Sequence, residues 1–181
     1  MKFTPTRIEG VWIIDMERHS DARGWFARTW CEEELTARGL NPSIAQCSSS
    51  FNQRRGTLRG LHSQTPPHEE AKIVRCTRGA VHDVAVDLRI NSRTCLSWVA
   101  VELTEDNGRM LYVPEGCAHG FQTLEDHTEV HYTISRAHSA DHSRGVRWND
   151  PLLAISWPLP DSPILNERDA GYPDLPSRKG Q

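Results

Sequence analysis

The chain has 181 residues, of which 37% are apolar and 25% are charged. This length suits one domain with a sizeable core and is short for two. With 21 Lys and Arg against 24 Asp and Glu, the formal net charge is −3, which argues against a nucleic-acid-binding protein that depends on phosphate contacts.

No apolar run approaches the roughly 20 residues that a membrane span needs. The N-terminal residues contain no apolar stretch of signal-peptide length. The five cysteines are odd in number, scattered and without a CxxC pair. We therefore expect a cytoplasmic protein with reduced thiols and without a disulfide frame or a zinc site.

Taken in chain order, the sequence is typical of short β-strands separated by turn residues. Strands are predicted over residues 11–16, 24–30, 44–51, 57–63, 72–77, 80–89, 97–103, 109–113, 120–123 and 128–135. One helix is predicted over residues 31–38, with Gly39 as its stop. Ten short strands in about 125 residues predict an all-β fold, a sandwich or barrel of the jelly-roll type with short peripheral helices.

We expect a single domain over residues 1–181, with the barrel over about residues 10–135. The segment 136–181 is polar and Pro-rich, yet it contains Trp148 and Trp157. It is therefore expected to pack outside the barrel and not to form a free tail.

Alternation along the strands indicates which side chains face the interior. Lys72 shares a face with Val74 and Cys76, and Tyr132 shares one with Val130 and Ile134. Lys72 and Tyr132 are therefore predicted to point into the barrel, where an amine and a phenol are costly unless they are paired or used.

The orientation of the strand over residues 80–89 is ambiguous, because the face that carries Asp83 and Asp87 and the opposite face both contain apolar residues. Either face of this strand suits the interior.

A tight turn, Pro114-Glu-Gly-Cys-Ala-His119, has the PxGxxH form of the second cupin motif. In metal-binding cupins a first motif supplies two histidines and a glutamate, but here Lys72 occupies the glutamate position and only His68 is available near the histidine positions. Because an ammonium beside a divalent ion is a poor arrangement, we expect no bound metal. The plain alternative for His119 is a core histidine that is hydrogen-bonded in the barrel wall.

A set of motifs along the chain carries a resemblance to a known family. The motifs are Asp21-Ala-Arg23-Gly24-Trp-Phe26, Gly56-Thr-Leu-Arg59-Gly-Leu-His62, Lys72-Ile-Val, Asp83-Val-Ala-Val-Asp87-Leu-Arg89, Pro114-x-Gly-x-Ala-His119-Gly-Phe121, Tyr132, Gly145-Val-Arg-Trp148-Asn-Asp150-Pro and Glu167-Arg-Asp169. In order and spacing they resemble the dTDP-4-dehydrorhamnose 3,5-epimerase family, from about residue 3 to residue 175.

The resemblance implies a metal-free cupin barrel that needs no cofactor and forms a homodimer with strand exchange near the N-terminus. It implies that the substrate is a nucleoside diphosphate linked to a 4-keto-6-deoxy sugar, which is epimerised at C3 and C5 through an enolate. No nucleic acid or membrane partner is expected.

The family pattern also implies roles for four residues. His62 would remove the proton, with its tautomer held by Asp169. Lys72 would stabilise the enolate oxygen, and Tyr132 would return a proton to the other face.

Each role has a plainer alternative. His62 is alternatively a core histidine, and Tyr132 a buried tyrosine bonded to the backbone. Lys72 alternatively extends outward to pair with Glu69 or Glu70, and Asp169 caps a helix.

The residues at the expected nucleotide end follow the family less closely. The expected substrate contacts that match are Arg23, Phe26, Gln46, Arg59, His119 and Arg168. Four further contact positions depart from the family pattern. Arg28 and Ser143 each replace a glutamate, Ser48 replaces an asparagine, and His138 replaces the tyrosine that stacks on thymine. Loss of a buried hydrogen-bond acceptor weakens binding by about 1–3 kcal/mol. Two explanations therefore remain open: the protein binds a nucleotide other than dTDP, or it binds the same thymidine through different contacts.

Other functions also remain open at this point. They are a mono-epimerase acting at C3 or C5 only, a related ketoisomerase, a non-catalytic sugar-nucleotide-binding cupin and a metal-dependent oxygenase. The combination of His62, Lys72 and Tyr132 favours the epimerase over the binding protein, and Lys72 disfavours the oxygenase.

Overall fold

The computed structural model describes residues 1–176 and contains thirteen strands, two short α-helices and one 3-10 helix (Ala140–His142) within that range. The strands are β1 (Lys2–Pro5), β2 (Trp12–Asp15), β3 (His19–Asp21), β4 (Gly24–Phe26), β5 (Gln46–Asn52), β6 (Leu58–Gln64), β7 (Lys72–Arg78), β8 (Ala80–Asp87), β9 (Trp98–Thr104), β10 (Met110–Val113), β11 (Cys117–Thr123), β12 (Thr128–Ile134) and β13 (Ser143–Gly145). The α-helices are α1 (Glu32–Thr36) and α2 (Glu167–Ala170). Neither helix is long enough to cross a bilayer, and no other described residue lies in a membrane-spanning helix.

The prediction of an all-β jelly-roll fold with short peripheral helices is confirmed. Each of the ten predicted segments overlaps one strand, and α1 lies within the predicted helix. The strands β1, β3 and β13, of three or four residues each, were not predicted.

Two antiparallel sheets face each other. The first has the strand order β1-β2-β10-β7-β12-β5, and the second has the order β13-β6-β11-β8-β9. The hairpin of β3 and β4 forms a separate two-stranded sheet. The sheets extend beyond the expected barrel of residues 10–135 at both ends, since β1 pairs with β2 and β13 pairs with β6.

The main core lies between the two sheets. Val74 and Val130 of the first sheet pack with Val81, Ala85 and Phe121 of the second. Since Val81 and Ala85 face inward, alternation also turns Asp83 inward, which resolves the ambiguity of β8. One end of this interior is polar and open.

Both sheets are also covered on their outer faces. Leu58 and Val84 of the second sheet pack against Leu153 and Trp157 of the C-terminal segment. Leu35 of α1 packs against the outer face of the first sheet. The C-terminal segment is therefore fixed to the sheet, and it carries α2 to the open end of the interior.

Glycines allow β6 and β11 to approach closely. A β-carbon built on Gly60 would lie 2.6 Å from the Cα atom of Gly120, and Gly60 has φ +129°. Between the pairs His119↔His62 and Phe121↔Arg59 the register shifts, with two residues of β6 against one of β11. This bulge lets Arg59 and His62 face the same interior although they are three residues apart.

We predict that Gly60→Ala destabilises the fold more than the matched variant Gly24→Ala. Gly24 also has φ +129°, but an added β-carbon there meets no atom within 4 Å. Both variants carry backbone strain of about 1–3 kcal/mol, and Gly60→Ala should lose about 1–3 kcal/mol more because the backbone of Gly120 must move. Urea unfolding measures both losses, and equal losses would contradict the close approach of the two strands.

Candidate active site

A cavity of about 600 Å³ lies at the open end of the interior, with walls from both sheets. It is lined by Gln46, Ser48, Ser49, Ser50, Phe51, Arg59, His62, Ser63, Gln64, Glu70, Lys72, His119, Phe121, Tyr132, Ile134, His138, Ser143 and Arg168. Ten of the fourteen site residues named from the sequence therefore line one cavity. Its volume suits a ligand of nucleotide size.

A histidine and an aspartate form a close pair in the wall of this cavity. The Nε2 atom of His62 lies 2.8 Å from Oδ1 of Asp169, although the residues are 107 positions apart. The other carboxylate oxygen, Oδ2, accepts a hydrogen bond of 3.0 Å from the backbone N–H of Gly60. With Nε2 held by the carboxylate, Nδ1 of His62 is the ring nitrogen left without a partner among the described residues.

The position of Asp169 depends on how the C-terminal segment docks. The side chain of Asn166 caps α2 by accepting a hydrogen bond from the backbone N–H of Asp169. Upstream, the backbone carbonyl of Ile164 accepts from the N–H of Leu58 at the start of β6, and the N–H of Ile164 donates to the carbonyl of Gly56. Asn166 is therefore the cap, and the carboxylate of Asp169 is left to bind His62.

The surroundings of Asp169 favour its charged form. Burial alone raises the pKa of a carboxyl group, but the hydrogen bond and charge of His62 and the N–H of Gly60 outweigh this effect, so the pKa of Asp169 lies below its usual range. A carboxylate in this state holds the imidazole in one orientation and stabilises a positive charge on it.

The opposite wall carries Lys72 and Tyr132, which the alternation predicted to point inward. Both line the cavity, and Ile134 is the register partner of Lys72 on the neighbouring strand. Lys72 does pair with Glu70, with Nζ 2.8 Å from Oε1, but the pair lies inside the cavity and not on the outer surface. Glu70 is thus a cavity residue that the sequence did not identify as part of the site.

His119 forms a second histidine–aspartate pair. Its Nε2 atom lies 2.8 Å from Oδ1 of Asp83, which is fully buried. His119 is also the register partner of His62 on the adjacent strand. It is therefore both a hydrogen-bonded wall residue and part of the cavity lining.

The remaining lining residues form a polar region beside these groups. The backbone N–H of His138 donates to the side chain of Gln46 (3.0 Å), and Arg168 donates to the hydroxyl of Ser143 (2.6 Å). Arg59 is held by a hydrogen bond of 2.8 Å from its Nε to Asn52. The guanidinium groups of Arg59 and Arg168 provide positive charge suited to phosphate oxygens.

Three predicted contact residues do not line this cavity. Arg23 and Phe26 lie on the hairpin of β3 and β4, where the side chain of Arg23 is 90% exposed and Phe26 is 71% exposed. Arg28 lies 3.5 Å from Glu34. None of the three lines the cavity within one protomer, so their contact with a ligand stays a prediction.

The arrangement places an imidazole on one sheet and a phenol and an ammonium on the other. Such a site can remove a proton from one side of a small ligand, supply one from the other side and stabilise an anion between them. Within residues 1–176, no group of three or more His, Cys, Asp or Glu side chains is placed to hold a metal ion.

Comparison with known proteins identifies clear relatives. The family model described as dTDP-4-dehydrorhamnose 3,5-epimerase matches residues 5–177. An enzyme of that name from Sinorhizobium fredii is 40% identical over 175 residues, covering 97% of this chain and 90% of that protein.

Solved structures agree with this result. A dTDP-4-dehydrorhamnose 3,5-epimerase from Bacillus anthracis with TDP and PPi bound is 40% identical, has a TM-score of 0.92 and covers 96% of this chain and 99% of that one. A 3'-monoepimerase from Streptomyces bikiniensis in complex with dTDP-quinovose is 32% identical, has a TM-score of 0.87 and covers 94% of this chain and 86% of that one.

The lowered pKa of Asp169 predicts a specific dependence of stability on pH. Because the folded pKa lies below the unfolded value of about 3.9, the stabilisation is fully present above pH 4 and is lost as the pH falls through the folded pKa. Wild type should exceed Asp169→Asn in unfolding free energy by about 1–3 kcal/mol at pH 5, with the difference shrinking below pH 4. Chemical denaturation checks this prediction, with Asp174→Asn on the same segment as an exposed control, and a difference that stays constant from pH 5 to pH 2 would contradict it.

Proposed function

Because the chain belongs to the dTDP-4-dehydrorhamnose 3,5-epimerase family, we propose that it inverts C3 and C5 of dTDP-4-keto-6-deoxyglucose. The observation that carries this proposal is the cavity in which the His62–Asp169 pair faces Lys72 and Tyr132 from the opposite sheet. A site with these groups on opposing walls suits proton removal and return on the two faces of a sugar ring.

The chemistry depends on the ketone at C4. Hydrogens on the carbons beside a ketone become acidic only when the enolate is stabilised. In our proposal the ammonium of Lys72, whose side chain is 11% exposed, donates to the ketone oxygen and stabilises its negative charge. This interaction strengthens as the charge develops, so it lowers the barrier more than it strengthens substrate binding.

His62 then serves as the base. Its Nε2 is bound to Asp169, which leaves Nδ1 to accept a proton from C3 or C5. The positive imidazole that results is stabilised by the buried carboxylate 2.8 Å away. Tyr132, on the opposite wall, donates a proton to the other face of the enolate, which completes the inversion.

The polar end of the cavity supports binding of the nucleotide part. Arg59 and Arg168 suit the diphosphate, and His138 provides a flat ring for the base. We propose thymidine as the base, held through the altered contacts of Ser48 and Ser143. The alternative is the same sugar carried on another nucleotide.

A second candidate function is epimerisation at one centre only. The similarity to the 3'-monoepimerase from Streptomyces bikiniensis supports this second function. The number of inverted centres depends on how the enolate is reprotonated, so His62 and Lys72 serve both reactions equally.

We further propose a homodimer in which the hairpin of β3 and β4 completes the partner's cavity. The hairpin pairs with no other strand in the described chain, and it exposes Trp25, Phe26 and Arg23. Exposed aromatic side chains beside an arginine are typical of a protein interface. Such an exchange would bring Arg23 and Phe26 to a cavity that they do not line within their own protomer.

We predict distinct exchange patterns for variants of the proposed base and acid in heavy water. His62→Ala should lose deuterium incorporation at both C3 and C5 by about 10²-fold or more. Tyr132→Phe should retain exchange but form less product inverted at C5, because the base still acts while the opposing donor is missing. Mass spectrometry and NMR of dTDP-4-keto-6-deoxyglucose measure both effects, and His131→Ala, on the same strand but outside the cavity lining, is the control.

Three other outcomes of this experiment would each change the proposed function. Exchange and inversion at one centre only would establish the mono-epimerase. Activity with a 4-keto-6-deoxy sugar on another nucleotide, but not with the dTDP sugar, would overturn the choice of thymidine. Binding without exchange in the wild type would contradict the epimerase proposal.

Mixing two inactive variants tests the shared site. In a heterodimer of His62→Ala and Arg23→Ala protomers, one cavity would have an intact His62 and an intact Arg23 from the partner. Equimolar mixing after subunit exchange should therefore restore activity to about a quarter of wild type. No recovery in a mixture shown to contain heterodimers would contradict the proposed exchange of hairpins.

A further inference from the structure

Glu70 is a buried carboxylate that the proposed chemistry leaves without a complete set of partners. Its side chain is 6% exposed, and its Oε1 atom lies 2.8 Å from Nζ of Lys72. The other oxygen, Oε2, is buried and has no hydrogen-bond partner within the described chain, although Glu70 lines the cavity. A buried carboxylate oxygen without a donor is costly, so a ligand hydroxyl that donates to Oε2 would offset that cost.

The segment around Glu70 is held in place on both sides. The backbone N–H of Ala71 donates to the hydroxyl of Ser135 (2.8 Å), and the backbone carbonyl of Ala71 accepts from the N–H of Ser135 (2.9 Å). On the other side, the amide of Gln64 donates to the carbonyl of His68 (2.8 Å). Glu70 is therefore positioned by the surrounding backbone as well as by its pairing with Lys72.

The chemistry of the proposed substrate limits which of its groups can meet Oε2. The diphosphate has only acceptor oxygens and is repelled by a carboxylate. The ketone oxygen at C4 is also an acceptor and is assigned to Lys72. Of the two carbons beside the ketone, C5 carries a methyl group and the ring oxygen, whereas C3 carries a hydroxyl. Glu70 is bound to the ammonium of Lys72, which holds the C4 oxygen in our proposal. The one hydrogen-bond donor of the sugar next to that position is the hydroxyl at C3.

We infer that Glu70 is a substrate-contacting residue that accepts a hydrogen bond from the hydroxyl at C3 while it orients Lys72 toward the ketone. This inference rests on the proposed function. Glu70 would thereby determine specificity for a hydroxyl next to the ketone. The same contact would fix the sugar so that the C3 and C5 hydrogens face the base.

Comparing the substrate with its 3-deoxy analogue tests this contact through deuterium exchange at C5, a position that both compounds share. Hydrogen bonds to charged groups contribute about 1.5–3 kcal/mol, so the wild type should prefer the hydroxyl-bearing substrate by about 10- to 100-fold in kcat/KM. Glu70→Ala should reduce this preference to about threefold or less, and Glu70→Gln should give an intermediate ratio, since a neutral acceptor forms a weaker bond. The control Glu69→Ala, one residue away and outside the cavity lining, should keep the wild-type ratio.

The ratio separates substrate contact from a merely structural role. A variant that is only less stable or less well packed loses activity on both compounds equally and keeps the ratio. An unchanged ratio in Glu70→Ala, or in the isosteric Glu70→Gln if the alanine variant does not fold, would overturn the inference and leave the epimerase proposal intact. Absence of C5 exchange in the wild type with either compound would contradict both.

Discussion

The hydrogen bond between His62 and Asp169 is the interaction on which the site depends. It joins a strand of the barrel to a segment 107 residues later, so the pair is formed only after the C-terminal segment has docked. Packing of Leu153 and Trp157 on the outer face of the sheet supplies the apolar contacts that hold this segment. The carboxylate is buried and remains charged because its partners outweigh the effect of burial. Stability of the fold and orientation of the imidazole therefore have a common origin.

Three pairs of ionisable groups lie at the cavity. His62 is bound to Asp169, His119 to Asp83 and Lys72 to Glu70. Burying an isolated charge costs far more than burying a pair that is hydrogen-bonded, so pairing allows several charges to share one cavity. Each pair also keeps its side chain in one orientation before a ligand arrives. This preorganisation is what electrostatic stabilisation of an enolate requires.

Much of the fold was predictable from the sequence, because strand alternation and turn residues report local geometry directly. The same alternation placed Lys72 and Tyr132 in the interior. It could not place Arg59 and His62 on one face, because regular alternation puts residues three apart on opposite sides, and only the bulge at Gly60 changes this. Asp83 was ambiguous because both faces of its strand are buried. The resemblance to the family supplied the proposed role of Asp169, which no local pattern predicts. The proposed contacts of Arg23 and Phe26 depend on an assembly that one chain does not contain.

The central claim is that the imidazole and the phenol approach a ketone-bearing ring from opposite sides while the ammonium holds its oxygen. A crystal structure of this protein with a dTDP-linked hexose bound tests the claim most directly. We expect Nδ1 of His62 and the hydroxyl of Tyr132 on opposite faces of the hexose, with Nζ of Lys72 within hydrogen-bonding distance of the oxygen at C4. A hexose that has both side chains on the same face, or that lies outside the cavity with its C4 oxygen away from Lys72, would contradict the claim.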